Sequence, residues 1–319
     1  MERDVIFMKK TILVTGGAGF LGSHLCRKLC AEGSNVICFD NLSTGDYENI
    51  RALEGDPQFR FVEGDVERMP EIKADEIYNL ACPASPCHYQ LDPVKTIRTN
   101  ALGVMNILEL ARNNTAKVVQ ASTSEVYGNP SVHPQVESYT GNVNPVGVRA
   151  CYDEGKRIGE TLCYAYRKMY RIRVGIVRIF NTYGPRMRND DGRVISNFIC
   201  QALGGENITV YGDGTQTRSF CYVDDLIEGL SKMMQTAEAF GPINLGNPVE
   251  ITVSELAEKV LEMTGGNSKI CYTNLPEDDP VRRKPDIALA EKMLGWRPRI
   301  QLEEGLDKTI RYFKSIMSV

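Results

Sequence analysis

The feature that most constrains this chain is a strand, a glycine turn and a helix in immediate succession near its start. Thr11-Ile12-Leu13-Val14-Thr15 is a β-branched apolar run, Gly16-Gly17-Ala18-Gly19-Phe20-Leu21-Gly22 follows at once, and Ser23-His24-Leu25-Cys26-Arg27-Lys28-Leu29 is amphipathic with helical spacing. Glycines at those places permit a tight turn, let backbone approach a pyrophosphate and let the helix pack on the strand. The helix N-terminus offers unpaired N–H groups to phosphate charge. A second strand, residues 35–39, ends in Asp40, which lies 18 residues beyond Gly22. An acid at that spacing accepts hydrogen bonds from the adenosine ribose and repels a 2′-phosphate, so the unit favours NAD over NADP. Asn41, Leu42, Ser43 and Gly45 then supply an adenosine-side loop.

Further strands follow at 59–64, 76–80, 117–121 and 173–178, with helical patterns between most of them, as in a Rossmann-type, doubly wound parallel sheet. Asp65 either faces the adenine or caps a turn. Residues 81–90 (ACPASPCHYQ) read as a proline-interrupted loop without regular structure at a strand C-terminus, where open α/β sheets bind ligands. Pro93 opens a long helix running to about Asn113, with Val94, Ile97, Ala101, Val104, Leu108 and Ala111 as a mostly core-facing stripe. A second helix carries Ile158, Leu162, Ala165 and Met169, and the two are expected to pair across a two-fold axis as a four-helix bundle in a homodimer.

The chemistry concentrates at two places. Ser122-Thr123-Ser124-Glu125 ends the fifth strand, and Tyr152 and Lys156 stand four apart, on one face of a helix. A neighbouring ammonium favours the phenolate, which turns a tyrosine into a general base. Each element alone has an ordinary reading: a serine or threonine cap, a solvated carboxylate, a chance Tyr/Lys pair. Together they suit proton transfer beside a nicotinamide. After the sixth strand the pattern becomes less regular. Arg186, Arg193 and Arg218, with Tyr211 to stack on a base, form a set able to hold a nucleotide diphosphate, against the ordinary reading of solvated arginines. Arg282-Arg283-Lys284, after Asp278-Asp279-Pro280-Val281, suggest a local anion site.

With 319 residues and 42% hydrophobic content the chain is expected to be a soluble globular protein of two domains or one elaborated domain. Its formal charge of −4, without a basic run, argues against nucleic acid. Ten dispersed cysteines without a C-x-x-C pair read as reduced thiols, and three scattered histidines give no metal site. Residues 1–8 are too short and acidic for a signal peptide or membrane anchor, so the expected location is cytoplasmic.

These motifs resemble the extended short-chain dehydrogenase/reductase family. Ala81-Cys82-Pro83-Ala84-Ser85-Pro86, Thr123-Ser124-Glu125-Val126-Tyr127-Gly128, His133-Pro134-Gln135, Arg149-Ala150-Cys151-Tyr152-Asp153-Glu154-Gly155-Lys156, Arg178-Ile179-Phe180-Asn181-Thr182-Tyr183-Gly184-Pro185-Arg186 and Arg283-Lys284-Pro285-Asp286 narrow the resemblance to its UDP-glucuronate decarboxylases, or UDP-xylose synthases, from about Thr11 to Phe313. The resemblance implies an NAD-binding Rossmann domain over 1–180 plus about 220–250, and a smaller C-terminal α/β nucleotide-sugar domain over about 181–219 plus 251–319. It implies decarboxylation of UDP-glucuronate to UDP-xylose through a 4-keto sugar.

Catalysis would rest on Tyr152, Lys156, Glu125, Thr123, Ser124 and Arg283. Glu125 would act near C5 and the sugar carboxylate, where two like charges repel and one is raised in pKa. NAD would contact Gly16, Gly19, Phe20, Leu21, Gly22, Asp40, Asn41, Ser43, Gly45, Asp65, Val66, Leu80, Ala81, Thr99, Ser122, Tyr152, Lys156, Thr182, Arg188 and Arg193. The UDP-sugar would contact Ser85, Tyr89, Asn181, Arg186, Val194, Asn197, Tyr211, Gln216, Arg218 and Arg283. The same scaffold serves NDP-sugar 4,6-dehydratases and 4-epimerases. Ser124 stands where dehydratases carry the acid that protonates a leaving hydroxyl, and Glu125 has no task in an epimerase. A non-catalytic NAD-binding regulator would have no use for Tyr152, Lys156 and Glu125 together.

Overall fold

The computed structural model describes residues 9–237, 240–275 and 282–317. The N-terminal segment read for a leader and the Asp278–Val281 part of the anion-site stretch lie outside them. Six strands appear in chain order: β1 (Thr11–Thr15), β2 (Asn35–Asp40), β3 (Phe59–Glu63), β4 (Glu76–Asn79), β5 (Lys117–Thr123) and β6 (Val174–Ile179). With the returning strand Ile243–Leu245 they form one seven-stranded sheet, spatially ordered Ile243–Leu245, β6, β5, β4, β1, β2, β3, and every pairing is parallel. Helices cover both faces, so β5 is buried along its whole length and β1 nearly so, which is why those strands are continuous apolar runs.

Strand order reverses between β1 and β4, and at that point an open parallel sheet leaves a crevice beyond its strand C-termini. The glycine turn sits there. Gly16 has φ +68°, and a Cβ on it would stand 2.9 Å from the Ala81 nitrogen at the end of β4. Only a residue without a side chain allows this left-handed turn so close to the neighbouring strand.

The helical stretch opened by Pro93 differs from a uniform helix. Pro93–Arg98 and Val104–Asn114 are α-helical, and Thr99–Gly103 between them is a π turn. The wider turn accompanies a close crossing: Asn100 is buried against Gly155 of the helix Ala150–Tyr170, where a Cβ would lie 3.1 Å from Asn100 Nδ2. Only the later half of the expected core stripe is buried: Val104, Leu108 and Ala111 face the core, whereas Val94 and Ile97 are exposed. The loop at 81–90 also differs from expectation, because Pro86–Tyr89 forms a helical turn.

Beyond β6 the chain builds smaller pieces over the crevice. Thr182–Tyr183 pairs with Cys221–Tyr222, and Ile208–Tyr211 with Ile270–Thr273. Thr217–Ser219 lies between Glu250–Thr252 and Arg282–Arg283. Among the described residues no helix is long and apolar enough to cross a membrane.

Candidate active site

One cleft of about 940 Å³ runs from the glycine turn, past the ends of β4 and β5, to the pieces that follow β6. Every expected site residue lines it except Gly45. Gly45 instead packs behind Asp40, where a Cβ would stand 2.8 Å from Oδ1, so it shapes the acid rather than the cavity wall.

The dinucleotide end follows from backbone geometry. The helix Phe20–Ala31 begins at Gly19 with no side-chain cap and no acid in its first turn, which leaves its N-terminal N–H groups available to an anion. Gly22 packs so tightly on the turn that a Cβ would lie 2.0 Å from the Gly16 oxygen. Asp40, at the end of β2, accepts from Ala18 N at 3.0 Å and Leu42 N at 2.8 Å, and burial holds its carboxyl above the usual range. Asp65 both caps the turn that begins at Val66 and accepts from Asn41 and Lys95. A cradle that admits no side chain, an uncapped helix end and a strand-end acid fit a dinucleotide of the NAD type. A Gly22→Ala variant is therefore expected to overpack the turn at a cost of about 1–3 kcal/mol. If all of it falls on the cofactor site, that corresponds to roughly 5- to 150-fold weaker NAD binding, read by titrating the purified protein with NAD.

Tyr152 and Lys156 lie one turn apart in the helix Ala150–Tyr170, and both are buried. Lys156 Nζ sits 5.7 Å from the Tyr152 ring centroid and donates to the Ala121 carbonyl of β5 at 3.0 Å. Tyr89 stacks on the Tyr152 ring, 4.8 Å between centroids and 6° from parallel. The expectation that this pair alone lowers the phenol is not met. Burial, followed by the neighbouring Cys82 thiol, holds Tyr152 well above its ordinary pKa, against the hydrogen bond from Thr123. The ammonium is committed to a carbonyl, and desolvation wins.

Glu125 lies in the short turn Ser124–Tyr127 after β5. Its Oε2 accepts from Arg149 Nη2 at 2.7 Å and from Arg283 Nη2 at 2.8 Å, while Oε1 accepts from Arg283 Nη1. Burial pushes the carboxyl up, but the two guanidiniums prevail and hold it at about 2. The acid raised in pKa is its neighbour Asp153, pushed up to about 7 by burial and by Glu125. Arg283 is held in place by Gln135, whose side chain accepts from Lys284 N at 2.8 Å and whose backbone pairs with Lys284 and Asp286. Two of the three adjacent cations are thus matched to carboxylates of the chain, since Lys284 lies 3.3 Å from Glu250.

The remaining expected residues have particular partners. Ser122 gives its hydroxyl to Glu160 at 2.5 Å, and Glu160 also holds Arg178. Thr123 accepts from Glu125 N, Thr182 donates to the Phe180 carbonyl, and Ser85 bonds His88. Arg193 and Arg188 each chelate an aspartate two residues away, Asp191 and Asp190; the Arg193 pair is largely buried, whereas the Arg188 pair stays exposed to solvent. Arg218 is buried in the cleft wall, and Tyr211 is 44% exposed at its rim. Arg149, Asp153 and Gln135 were not anticipated as site residues. Arg149 precedes Tyr152 by less than a helical turn, which was a usable signal; Gln135 gives none, because its role depends on a contact with residues 149 positions later.

The sequence from residue 12 to 246 matches the family described as the NAD dependent epimerase/dehydratase family. The chain belongs to that family. Among curated members it is 54% identical over 303 residues to UDP-glucuronic acid decarboxylase 4 of Arabidopsis thaliana, covering 95% of this chain and 68% of that one. It is 51% identical to UDP-glucuronic acid decarboxylase 1 of Xenopus tropicalis, covering 96% and 72%. Solved structures of the family share the fold at lower identity. A UDP-glucuronic acid 4-epimerase from Bacillus cereus, in complex with UDP-glucuronic acid and NAD, superposes with a TM-score of 0.87 at 29% identity, covering 96% and 99%. A dTDP-glucose 4,6-dehydratase from Streptomyces venezuelae with NAD bound gives 0.89 at 28%, covering 97% and 98%. Within this family the fold is common to several reactions, so the reaction must be read from the cleft.

Proposed function

We propose that the protein is an NAD-dependent decarboxylase that converts UDP-glucuronate to UDP-xylose and CO₂. The observation that carries the reading is Glu125, held ionised between Arg149 and Arg283 beside Tyr152 and Lys156. High identity to decarboxylases, against roughly half that to the epimerase and dehydratase structures, supports it.

Bound NAD⁺ supplies a hydride acceptor for C4, a positive ring charge that favours the phenolate, and the hydride for the closing reduction. Tyr152 takes the proton of the 4-hydroxyl as C4 is oxidised and returns it at the end. Thr123 and Ser124 hold the 4-oxygen, and Lys156 orients the cofactor ribose. With a ketone at C4 the C5 carboxylate is β to a carbonyl, so its departing electrons pass into an enolate and CO₂ leaves. C5 then gains one proton, and the sugar is re-reduced at C4. Glu125 acts at C5, and its two arginines keep it from carrying a full negative field against the substrate carboxylate. Arg186, Arg193, Arg218 and Tyr211 bind the nucleotide diphosphate, and Asp40 with the glycine turn binds NAD. The glycine turn and sheet form the cofactor domain, and the pieces after β6, apart from about 220–250, form the sugar domain.

Incubating the purified protein with UDP-glucuronate and NAD⁺, and following products by NMR, is expected to give CO₂ and UDP-xylose. Turnover of a UDP- or dTDP-hexose with no CO₂ from UDP-glucuronate would replace this reading by dehydration or epimerisation.

The protein acts as a cytoplasmic homodimer in this proposal. Val94, Ile97, Met105, Ile158 and Met169 are 40–75% exposed on the two long helices, an apolar face that a second copy would cover in a four-helix bundle. Sedimentation velocity is expected to give a dimer for the wild type and a shift toward monomer for Ile97→Glu combined with Met169→Glu; a monomeric wild type would refute it.

A further inference from the structure

One buried acid has no part in the steps above. Asp153 follows Tyr152 in the first turn of its helix, is only 6% exposed, and its Oδ1 has no hydrogen-bond partner among the described residues. An orphaned buried carboxylate oxygen is costly unless the group carries a proton. The four charged groups that act on it come from three elements: Glu125 from the turn after β5, Arg283 from the strand Arg282–Arg283, and Arg149 and Glu154 from its own helix. Tyr89, from the turn Pro86–Tyr89, and Cys151 also lie within its field.

Resting on the reading that the sugar carboxylate enters beside Glu125 and Arg283, we propose that binding of UDP-glucuronate is coupled to uptake of one proton from solvent, held on Asp153. Apart from the half-exposed Glu154, which pairs with Arg157, the entering group makes three carboxylates against two guanidiniums among the described residues, in a largely buried site. One of the three must be neutral. Glu125 is held ionised by its contacts to Arg149 and Arg283. The substrate carboxylate must be ionised to depart as CO₂. Asp153 alone has an oxygen with no donor, and a hydrogen placed there needs no rearrangement of the arginine contacts. Burial and Glu125 already push it up to about 7, so an added negative charge moves it further in the same direction.

The balance closes without another reactant. A carboxylate enters, CO₂ leaves uncharged, and C5 gains one proton, so the site ends with one negative charge fewer and Asp153 ionises again. Asp153 does not line the cleft, so it is a positioning residue that acts through charge.

The test is calorimetric titration of enzyme loaded with NADH, which cannot oxidise the sugar, at about pH 8 in two buffers of different ionisation enthalpy. UDP-glucuronate is expected to bind with uptake of close to one proton, and UDP-xylose, which lacks the carboxylate, with none. Above about pH 7 the Kd for UDP-glucuronate is expected to weaken by up to about tenfold per pH unit, with no such slope for UDP-xylose. Asp153→Asn is expected to keep binding and lose both the uptake and the slope. UDP-glucuronate binding to the wild type without excess uptake overturns the inference and leaves the proposed reaction standing, as does an Asp153→Asn variant that retains the uptake. Failure of UDP-glucuronate to bind where UDP-xylose binds overturns the reaction as well. The wild-type comparison decides the matter even if the variant does not fold.

Discussion

A Tyr152→Phe variant is expected to fold, bind NAD and UDP-glucuronate, and lose CO₂ release by about 10²–10⁴-fold, the usual contribution of a positioned general base. The ring stays against Tyr89, so the packing that supports the helix start is kept. Only the hydroxyl is removed, the group proposed to take the C4 proton, with Lys156 Nζ 5.7 Å from its ring centroid. Because burial holds this phenol high in the protein alone, the wild type is expected to gain activity as pH rises toward the phenol's pKa in the ternary complex. The residual activity of the phenylalanine variant should lack that rising limb. Single-turnover measurement of CO₂ across pH checks both; a variant within a few-fold of wild type would remove Tyr152 from the chemistry.

The second large effect is expected at Glu125. Glu125→Gln preserves size but removes the charge shared by Arg149 and Arg283, so both guanidiniums lose a carboxylate contact, and that of Arg283 is buried. Breaking a buried pair from one side costs about 3–5 kcal/mol, so the melting temperature should fall along with activity. Turnover is expected to fall by about 10²-fold or more while UDP-glucuronate affinity changes much less. If oxidation at C4 survives, the near-ultraviolet absorbance of reduced nicotinamide builds up without CO₂. Unchanged turnover at saturating substrate would contradict the role. The same depressed pKa has a stability consequence: Glu125 is ionised in the fold down to about pH 2 but protonates near its ordinary pKa when unfolded. Its contribution is present above about pH 4.5 and lost as pH falls toward 2, and the glutamine variant should lack that part of the acid limb.

The dinucleotide half of the site was legible because its constraints are local. Gly16, Gly22 and Asp40 are fixed by a turn, a helix start and a strand end that lie within a short run of sequence. Tyr152 and Lys156 were legible as a pair for the same reason, one helical turn. Their electrostatics were not: spacing shows that an ammonium is near a phenol, but whether it outweighs desolvation depends on Ala121, Tyr89 and Cys82, which arrive from three other elements. The clamp on Glu125 was half legible. Arg283 came from resemblance, whereas Arg149 and Asp153 acquire meaning only once the helix Ala150–Tyr170 is laid against the end of β5. The helix at Pro93 misled in the opposite sense, since an apolar stripe at helical spacing cannot say whether its early half meets the chain's own core or lies outside it, and Val94 at 64% exposure lies outside it.

The anchoring of Arg283 by Gln135 sets an order of events in the life of the chain. Synthesis runs from the N-terminus, and domains fold as they emerge. The glycine turn, six of the seven strands, Tyr152, Lys156, Glu125 and Arg149 are all made before residue 180, so a nucleotide pocket with its proton-transfer pair can form early. Glu125 then has Arg149 as its partner and waits for a second. That second guanidinium comes from a two-residue strand almost at the end of the chain, and it is seated only when Lys284 reaches Gln135 and Arg283 pairs along Thr217–Ser219. A chain that ended before Arg283 would carry Tyr152, Lys156 and Glu125 without the second guanidinium on that carboxylate. In this reading the seating of Arg283 on Glu125, rather than the forming of the nucleotide pocket, is the step that gives competence to decarboxylate.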